Sequence, residues 1–135
     1  MKVLLDTHLL IWSLMNVSSL PEKAKKIITN PDNEIYYSII SLWEIEIKHI
    51  AHPVALPYSA EAVEKVSNEK AGFQLLQLTQ SSIHKLSELK RPDSAPRHKD
   101  PFDRILICQA IANDMIFLTH DSLIPDYGVP NIVFV

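Results

Sequence analysis

Several residue types on which common functions depend are scarce in this sequence. Glycine occurs only twice, at Gly72 and Gly128, which excludes a glycine-rich phosphate-binding loop of either common type. Cys108 is the only cysteine, so the chain cannot form an internal disulfide, and its apolar surroundings favour a buried small residue over a nucleophile. No histidine or cysteine pair has zinc-ligand spacing. The histidines are therefore expected at the surface or near helix caps: His8, His49, His52, His84, His98 and His120.

Long apolar runs are also missing. No segment is long enough to span a bilayer, and Asp6 stands where a signal peptide would continue its apolar stretch. We therefore expect a cytoplasmic protein without a membrane partner. The chain has 135 residues, of which 47% are hydrophobic, enough to fill the core of a single domain spanning residues 1–135.

The net charge of −3 argues weakly against nucleic-acid binding, but its distribution matters more. Basic residues are concentrated between positions 84 and 104: Lys85, Lys90, Arg91, Arg97, Lys99 and Arg104. Acidic residues are interleaved with them: Glu88, Asp93, Asp100 and Asp103. If a divalent cation neutralised part of the acidic charge, this stretch would become a locally positive surface. The alternative is an ordinary solvated loop and helix face.

The hydrophobic pattern alternates between strands and helices. Strands are predicted at residues 2–5, 35–40, 73–78, 115–119 and 132–135. Helices are predicted at residues 9–15, 21–30, 41–50, 59–71 and 81–89, and from Pro101 to about residue 112. This alternation predicts an α/β protein with a mostly parallel central sheet. Function in such sheets gathers at the carboxyl ends of the strands, where both Asp6 and Asp121 are expected.

Two of the acidic residues in the first half of the chain have a structural and a functional interpretation. Asp6 follows a buried strand, where an acid is costly unless something binds it, but it could also cap the next helix. Glu44 ends the segment SLWE at residues 41–44, which fits a capping box that would by itself explain a glutamate there.

The same ambiguity applies to the acids of the second half. Asp100 is well placed as the N-cap of the helix opened by Pro101, and Asp103 lies in its first turn, where the helix dipole favours an acid regardless of function. Asp121 could be a turn residue or a functional one. Arg104 could contact phosphate or pair with Asp100.

If these acids meet, their carboxylates repel one another and some take up protons unless a cation is bound. Carboxylate-rich sites suit Mg²⁺ or Mn²⁺, which can polarise a phosphodiester and activate water for in-line attack. No protein nucleophile is then required. Thr7 and Thr119 lie beside the acids, where their hydroxyls could hold a carboxylate in place or could be ordinary strand-end residues.

Four segments taken together resemble the PIN domain, and more closely the VapC-type toxin ribonucleases. They are LLDTH at residues 4–8, SLWEI at 41–45, DPFDRIL at 100–106 and LTHD at 118–121. Each is weak alone, but their order and spacing match over nearly the whole chain. Two segments depart from the family pattern: residues 49–54 lack the expected Gly-Lys turn, and residues 120–123 differ from the more usual sequence. Neither departure removes an acid.

The resemblance implies a three-layer α/β/α sandwich and RNA cleavage that depends on Mg²⁺ or Mn²⁺. It also implies a homodimer and a small antitoxin partner whose tail blocks the active site. The family's catalytic metal-binding acids carry over onto Asp6, Glu44, Asp103 and Asp121. Supporting roles fall to Thr7, Ser41, Asp100, Arg104 and Thr119, of which Ser41 matches the small polar residue before the family's Trp-Glu.

Two other functions compete with this one. A non-catalytic module of the same fold could hold RNA or a protein, although all four acids are intact. An aspartyl-phosphate protein is the second rival. The phosphatase version needs a second Asp two residues after Asp6, but that position is His8, and a receiver domain would need an acidic pair near the N-terminus that is not evident.

Overall fold

A five-stranded sheet forms the centre of the computed structural model, which describes residues 1–135. Its strands are β1 (Lys2–Leu5), β2 (Glu34–Ser38), β3 (Gln74–Leu76), β4 (Ile116–Thr119) and β5 (Ile132–Phe134). They lie in the order β3-β2-β1-β4-β5, and every neighbouring pair is parallel. The predicted mostly parallel sheet is confirmed, and it contains no antiparallel strand.

Six α-helices connect and cover the strands. They are α1 (Thr7–Met15), α2 (Glu22–Thr29), α3 (Ile39–Ala51), α4 (Ala60–Val66), α5 (Gln80–His84) and α6 (Pro101–Ala112). Helix α4 continues into a wider turn at Ser67–Ala71, which Gly72 ends in the left-handed conformation with φ of 70°, a conformation that glycine commonly supplies at helix C-termini. No helix of the structure is long and apolar enough to cross a membrane.

Side chains alternate across the sheet and so fill two separate cores. Val3 and Leu5 point to one face, where they pack with residues of α1, α2 and α4. Leu4 and Phe117 point to the other, where they pack with α6 and the C-terminal segment. Helix α3 contributes to both cores. Because helices cover both faces, the protein is the predicted three-layer α/β/α sandwich, with Cys108 fully buried in the second core.

The start of α3 differs from the prediction. Strand β2 ends at Ser38, whose hydroxyl accepts the amide hydrogen of Ile40 at 3.0 Å and donates to the buried side chain of Gln109 at 2.5 Å. Ser38 is therefore the N-cap, and α3 begins at Ile39, two residues before the predicted start. The capping-box interpretation of residues 41–44 is wrong, because Ser41 and Glu44 lie inside the helix. Capping thus gives no reason for the buried Glu44.

Candidate functional site

Asp6 lies where β1 ends and α1 begins, and its carboxylate holds that corner together. Oδ1 accepts the amide hydrogen of Leu9 at 2.7 Å, so the predicted N-cap role is confirmed. Oδ2 accepts the hydroxyl of Thr119 at 2.6 Å and the amide of His120 at 3.2 Å. Burial nevertheless raises the pKa of Asp6, and these bonds only partly offset it. A negative charge at this corner is therefore costly in the protein alone.

Glu44 is the most unusual carboxylate of the structure. Its side chain is 2% exposed, and Oε2 accepts the ammonium of Lys48, one turn further along α3, at 2.5 Å. Oε1 is buried and has no hydrogen-bond partner. A buried carboxylate oxygen without a partner is strongly unfavourable, because its lost hydration is not replaced. A divalent cation would supply the missing interaction, so the donor set here fits a metal ion.

Asp103 lies in the first turn of α6, which Asp100 caps by accepting the amides of Phe102 at 2.8 Å and of Asp103 at 3.2 Å. The pKa of Asp103 is raised to about 8, by burial first and then by the negative charges of Asp100, Asp6, Glu44 and Asp121. The other three predicted ligands, Asp6, Glu44 and Asp121, thus lie close enough to Asp103 to raise its pKa. Without a cation, Asp103 is mostly protonated at neutral pH.

Asp121 follows β4, which pairs directly with β1. The two predicted strand-end acids therefore lie on neighbouring strands. Oδ1 of Asp121 accepts the amide of Leu123 at 2.9 Å, which confirms the turn interpretation. The second oxygen remains directed at the acidic cluster, where it lies 3.7 Å from Nε2 of His98. Asp121 thus stabilises the turn with one oxygen and faces the candidate site with the other.

His98 is the residue that the sequence analysis missed. Its side chain is 4% exposed, so it is not a surface histidine, and it lies near the cap of α6, the other position expected for the histidines. Nε2 lies 3.2 Å from Asp103 Oδ2, and Nδ1 lies 2.7 Å from the hydroxyl of Tyr127. His98, Asp103 and Asp121 offer ligand atoms within 4.8 Å of one another. The only sequence signal was its position two residues before Asp100, since Tyr127 is remote in the chain.

Burial also lowers the pKa of His98, despite the opposing effect of Asp121. A neutral imidazole has one ring nitrogen that donates and one that accepts. It can therefore donate to protonated or ionised Asp103 from Nε2 while its other nitrogen accepts from Tyr127. The contact between His98 and Asp103 is thus a hydrogen bond that orients the carboxyl group.

The remaining predicted supporting residues connect the elements that carry the acids. Thr7 Oγ1 lies 2.9 Å from Ser41 Oγ in the protein interior, which joins α1 to α3. Arg104 does not pair with Asp100 as suggested. It donates instead to the hydroxyl of Tyr127 at 3.2 Å and to the carbonyl of Leu89 at 3.3 Å. Arg104 therefore fixes the same tyrosine that orients His98.

The basic loop before α6 is partly committed to structure. Arg91 donates to the carbonyl oxygens of Leu123 and Pro96 and lies 3.5 Å from the Asp126 carboxylate. It also packs over the Tyr127 ring, 4.9 Å from its centroid. Arg97 and Lys99 remain exposed. Of the loop cations, these two are thus better placed than Arg91 to contact a ligand.

The fold and the acidic cluster define the class of protein: an α/β/α sandwich with a candidate metal site at the carboxyl edge of its parallel sheet. Comparison with known proteins identifies the family. The model of the PIN domain matches residues 3–129, so the chain belongs to the PIN-domain family. Comparison with curated protein sequences finds no match.

Among solved structures, the chain is similar to one described as VapBC2 from Rickettsia felis bound to a DNA fragment from their promoter. The identity is 15%, the TM-score is 0.68, and the match covers 100% of this chain and 98% of that chain. It is also similar to a toxin-antitoxin complex from Klebsiella pneumoniae, with 20% identity and a TM-score of 0.57, over 97% of this chain and 95% of that chain. At these identities, the likeness shows the shared fold.

Proposed function

We propose that this protein is a VapC-type toxin, an endoribonuclease that depends on Mg²⁺ or Mn²⁺. Asp6, Glu44, Asp103 and Asp121 hold the cation. The observation that carries the proposal is the buried Oε1 of Glu44, which has no partner in the protein. The pKa of about 8 at Asp103 adds support, because it shows how strongly the cluster disfavours negative charge when no cation balances it. The unpartnered oxygen of Glu44 and the raised pKa of Asp103 both cost folding free energy, so neither is expected in a cluster whose only role is to stabilise the fold.

The bound cation would supply charge to polarise an RNA phosphodiester and to activate water for in-line attack. The protein's own residues position its carboxylates. Thr119 and the amide of His120 fix one oxygen of Asp6, while Leu9 fixes the other. His98, held by Tyr127, orients Asp103. Asp100 keeps α6 capped so that Asp103 stays at the site.

The proposed partners are RNA, a small antitoxin and a second copy of the chain. An antitoxin partner is supported by the similar structures, one described as VapBC2 bound to DNA and the other as a toxin-antitoxin complex. A homodimer is supported by an apolar stripe on α3, where Trp43 is 59% exposed, Ile47 43% and Ile50 74%. Their spacing places them on one face of the helix, and such a stripe marks an interaction surface. We further propose that residues 1–135 form one domain and that the protein acts in the cytoplasm.

An RNA cleavage assay with purified parent protein and its Asp6→Asn variant tests this function in Mg²⁺, in Mn²⁺ and in EDTA. Asparagine keeps an oxygen that can accept the amide of Leu9, so α1 stays capped while the charge is lost. We expect metal-dependent cleavage by the parent and none by the variant. Asp114→Asn is the matched control, because Asp114 lies at the opposite edge of the sheet with φ of 53°, a conformation that asparagine tolerates.

Cleavage by the cleanly purified Asp6→Asn variant, or cleavage that persists in EDTA, would contradict the proposal. Metal binding without cleavage of any RNA would favour the alternative, a non-catalytic PIN-fold module that binds RNA or a protein. Mass analysis of the preparation for a second small chain separates that result from inhibition by a co-purified antitoxin.

A further inference from the structure

A row of four aromatic rings lies beside the acidic cluster and is not explained by metal binding. His8 and Trp12, one turn apart on α1, have ring centroids 5.9 Å apart. Trp12 meets His120 edge-on at 5.8 Å, and His120 stacks on Phe134 of β5 at 5.6 Å with an interplanar angle of 7°. The row thus joins three elements at the carboxyl edge of the sheet, and we call it the aromatic row.

The aromatic row opens directly onto the candidate metal site. His8, Trp12 and His120 line a cavity of about 270 Å³ whose other walls are Asp6 and Asp121. Pockets for whole drug-sized ligands measure roughly 300–1,000 Å³, so this smaller space suits one base or nucleotide. A group bound there would touch aromatic rings and two of the proposed metal ligands at the same time.

Packing explains only part of the row. Trp12 packs partly against the first core, but His8 and His120 are exposed and Phe134 is 47% exposed. The His120 ring is also held in place, since Nδ1 contacts the carbonyl oxygen of Val135. Exposed aromatic rings held in a fixed arrangement lose little entropy when a flat ligand stacks on them. They are the usual contact surface for unpaired bases.

We propose that the aromatic row is a base-binding subsite, in which the rings of Trp12 and His120 stack an unpaired nucleobase next to the cleaved phosphodiester. This inference rests on the proposed function. Bases within a duplex are already stacked on each other and cannot lie on protein rings without being unpaired. RNA is favoured over a protein segment as the occupant because the row adjoins carboxylates suited to a cation that binds phosphate.

Tryptophan fluorescence tests the stacking without relying on cleavage. In a Trp43→Phe variant, Trp12 is the only tryptophan, and the Asp6→Asn substitution in the same protein is intended to keep the RNA intact. We expect a short single-stranded oligoribonucleotide to quench Trp12 in the presence of Mg²⁺. A duplex of the same sequence should quench it far less. The matched control carries Trp12→Phe instead, so that Trp43 on α3 reports, and its fluorescence should not change.

A second measurement determines the contribution of the exposed rings. Replacing His120 and Phe134 by alanine should raise the Kd for the single-stranded RNA about 5- to 100-fold, the usual effect of losing base stacking. An oligonucleotide without a base at the contacted position should bind both proteins equally. Thermal melting of the double variant confirms that it is folded before its Kd is measured.

Several results would overturn the inference. They are the absence of oligonucleotide binding, binding without quenching of Trp12, equal quenching by duplex RNA, or quenching only by a co-expressed small protein. The last would assign the row to a protein partner. If the parent shows metal-dependent cleavage that the ring substitutions leave unchanged, the nuclease proposal stands and the stacking inference fails. If Trp12 is quenched but a parent preparation shown by mass analysis to contain no second chain cleaves nothing, the row still stacks a base and the nuclease proposal fails.

Discussion

Polar groups at the amino edge of the sheet stabilise the fold, whereas several at the carboxyl edge oppose it. At the amino edge, the N-terminal ammonium donates to the carbonyl of Asp32 and to the side chain of Asn33, at 3.2 and 3.3 Å. Asn131 likewise donates to the carbonyl of Met115 at 2.9 Å. At the carboxyl edge, Asp6 and Glu44 are buried, and Oε1 of Glu44 has no partner. One edge is stabilised by its polar contacts, whereas the other carries charges that oppose folding.

This difference supports the carboxyl edge as the candidate functional edge without reference to any motif. Natural proteins rarely keep a buried charge without compensation, and the exceptions cluster at sites that bind a ligand or perform chemistry. The connectivity of the fold explains the placement, because parallel strands deliver their loops and helix starts to the same edge. A cation bound there would reverse the local balance of charge and stabilise the folded state.

The largest expected effect comes from Asp103→Asn. We expect cleavage to fall by more than about 100-fold, which exceeds the usual effect of changing a residue that only contacts a metal ligand. At about pH 9 the metal-free variant should also melt at a higher temperature than the parent, because it no longer carries a buried charge. Cleavage assays and thermal melting measure the two effects, and Asp114→Asn at the amino edge should change neither. A variant that loses stability at about pH 9 would refute the claim that this charge opposes folding.

The pH dependence of metal binding should be the next largest effect. The pKa of Asp103 is raised to about 8, above its ordinary value of 3.8. Between these values the folded protein holds a proton that the unfolded chain has released, so metal-free stability falls as pH rises and levels off above the folded pKa. Because the cation must displace that proton, its affinity should increase by up to about tenfold per pH unit and then level off near pH 8.

Titration of the protein with Mn²⁺, followed by electron paramagnetic resonance at several pH values, measures this affinity directly. The Asp103→Asn variant is the matched control, since it has no proton to release at that position. An affinity for the parent that stays constant from about pH 6 to 8 would show that Asp103 is already ionised in the metal-free protein.

The sequence predicted features that depend on neighbouring residues better than features that depend on tertiary contacts. The strands, the parallel sheet and the caps at Asp6 and Asp100 followed from local pattern, because hydrophobic alternation and capping depend on neighbouring residues. The start of α3 did not, since Ser38 is stabilised there by Gln109, 71 positions away. The role of His98 was missed for the same reason, because its partner Tyr127 lies 29 positions away. The acids named from motifs and resemblance lie close together in the structure, whereas a residue placed only by tertiary contacts, such as His98, was missed.

A smaller effect is expected from His98→Ala, which removes the side chain that orients Asp103. Metal affinity should fall by about 10-fold, at the lower end of the range for partners of metal ligands. His98→Gln should restore part of this loss, since its amide can still donate a hydrogen bond. His84→Ala, at an exposed position on α5, serves as the control. An unchanged Mn²⁺ affinity in His98→Ala would leave the histidine with a packing role only.

The smallest effect concerns a polar group at the carboxyl edge that stabilises the fold. Ser38 is fully buried there, but its hydroxyl accepts from the Ile40 amide and donates to Gln109, so it should favour folding. Ser38→Ala removes the cap of α3 and leaves Oε1 of Gln109 without its donor, while Nε2 still donates to the carbonyl of Gln77. It should lower the free energy of unfolding by about 2 kcal/mol. Urea denaturation should show a lower midpoint with an unchanged slope, and the exposed Ser87→Ala should show neither change. If Ser38→Ala instead stabilised the protein, buried polar groups of every kind at the carboxyl edge would oppose folding, and not its carboxylates alone.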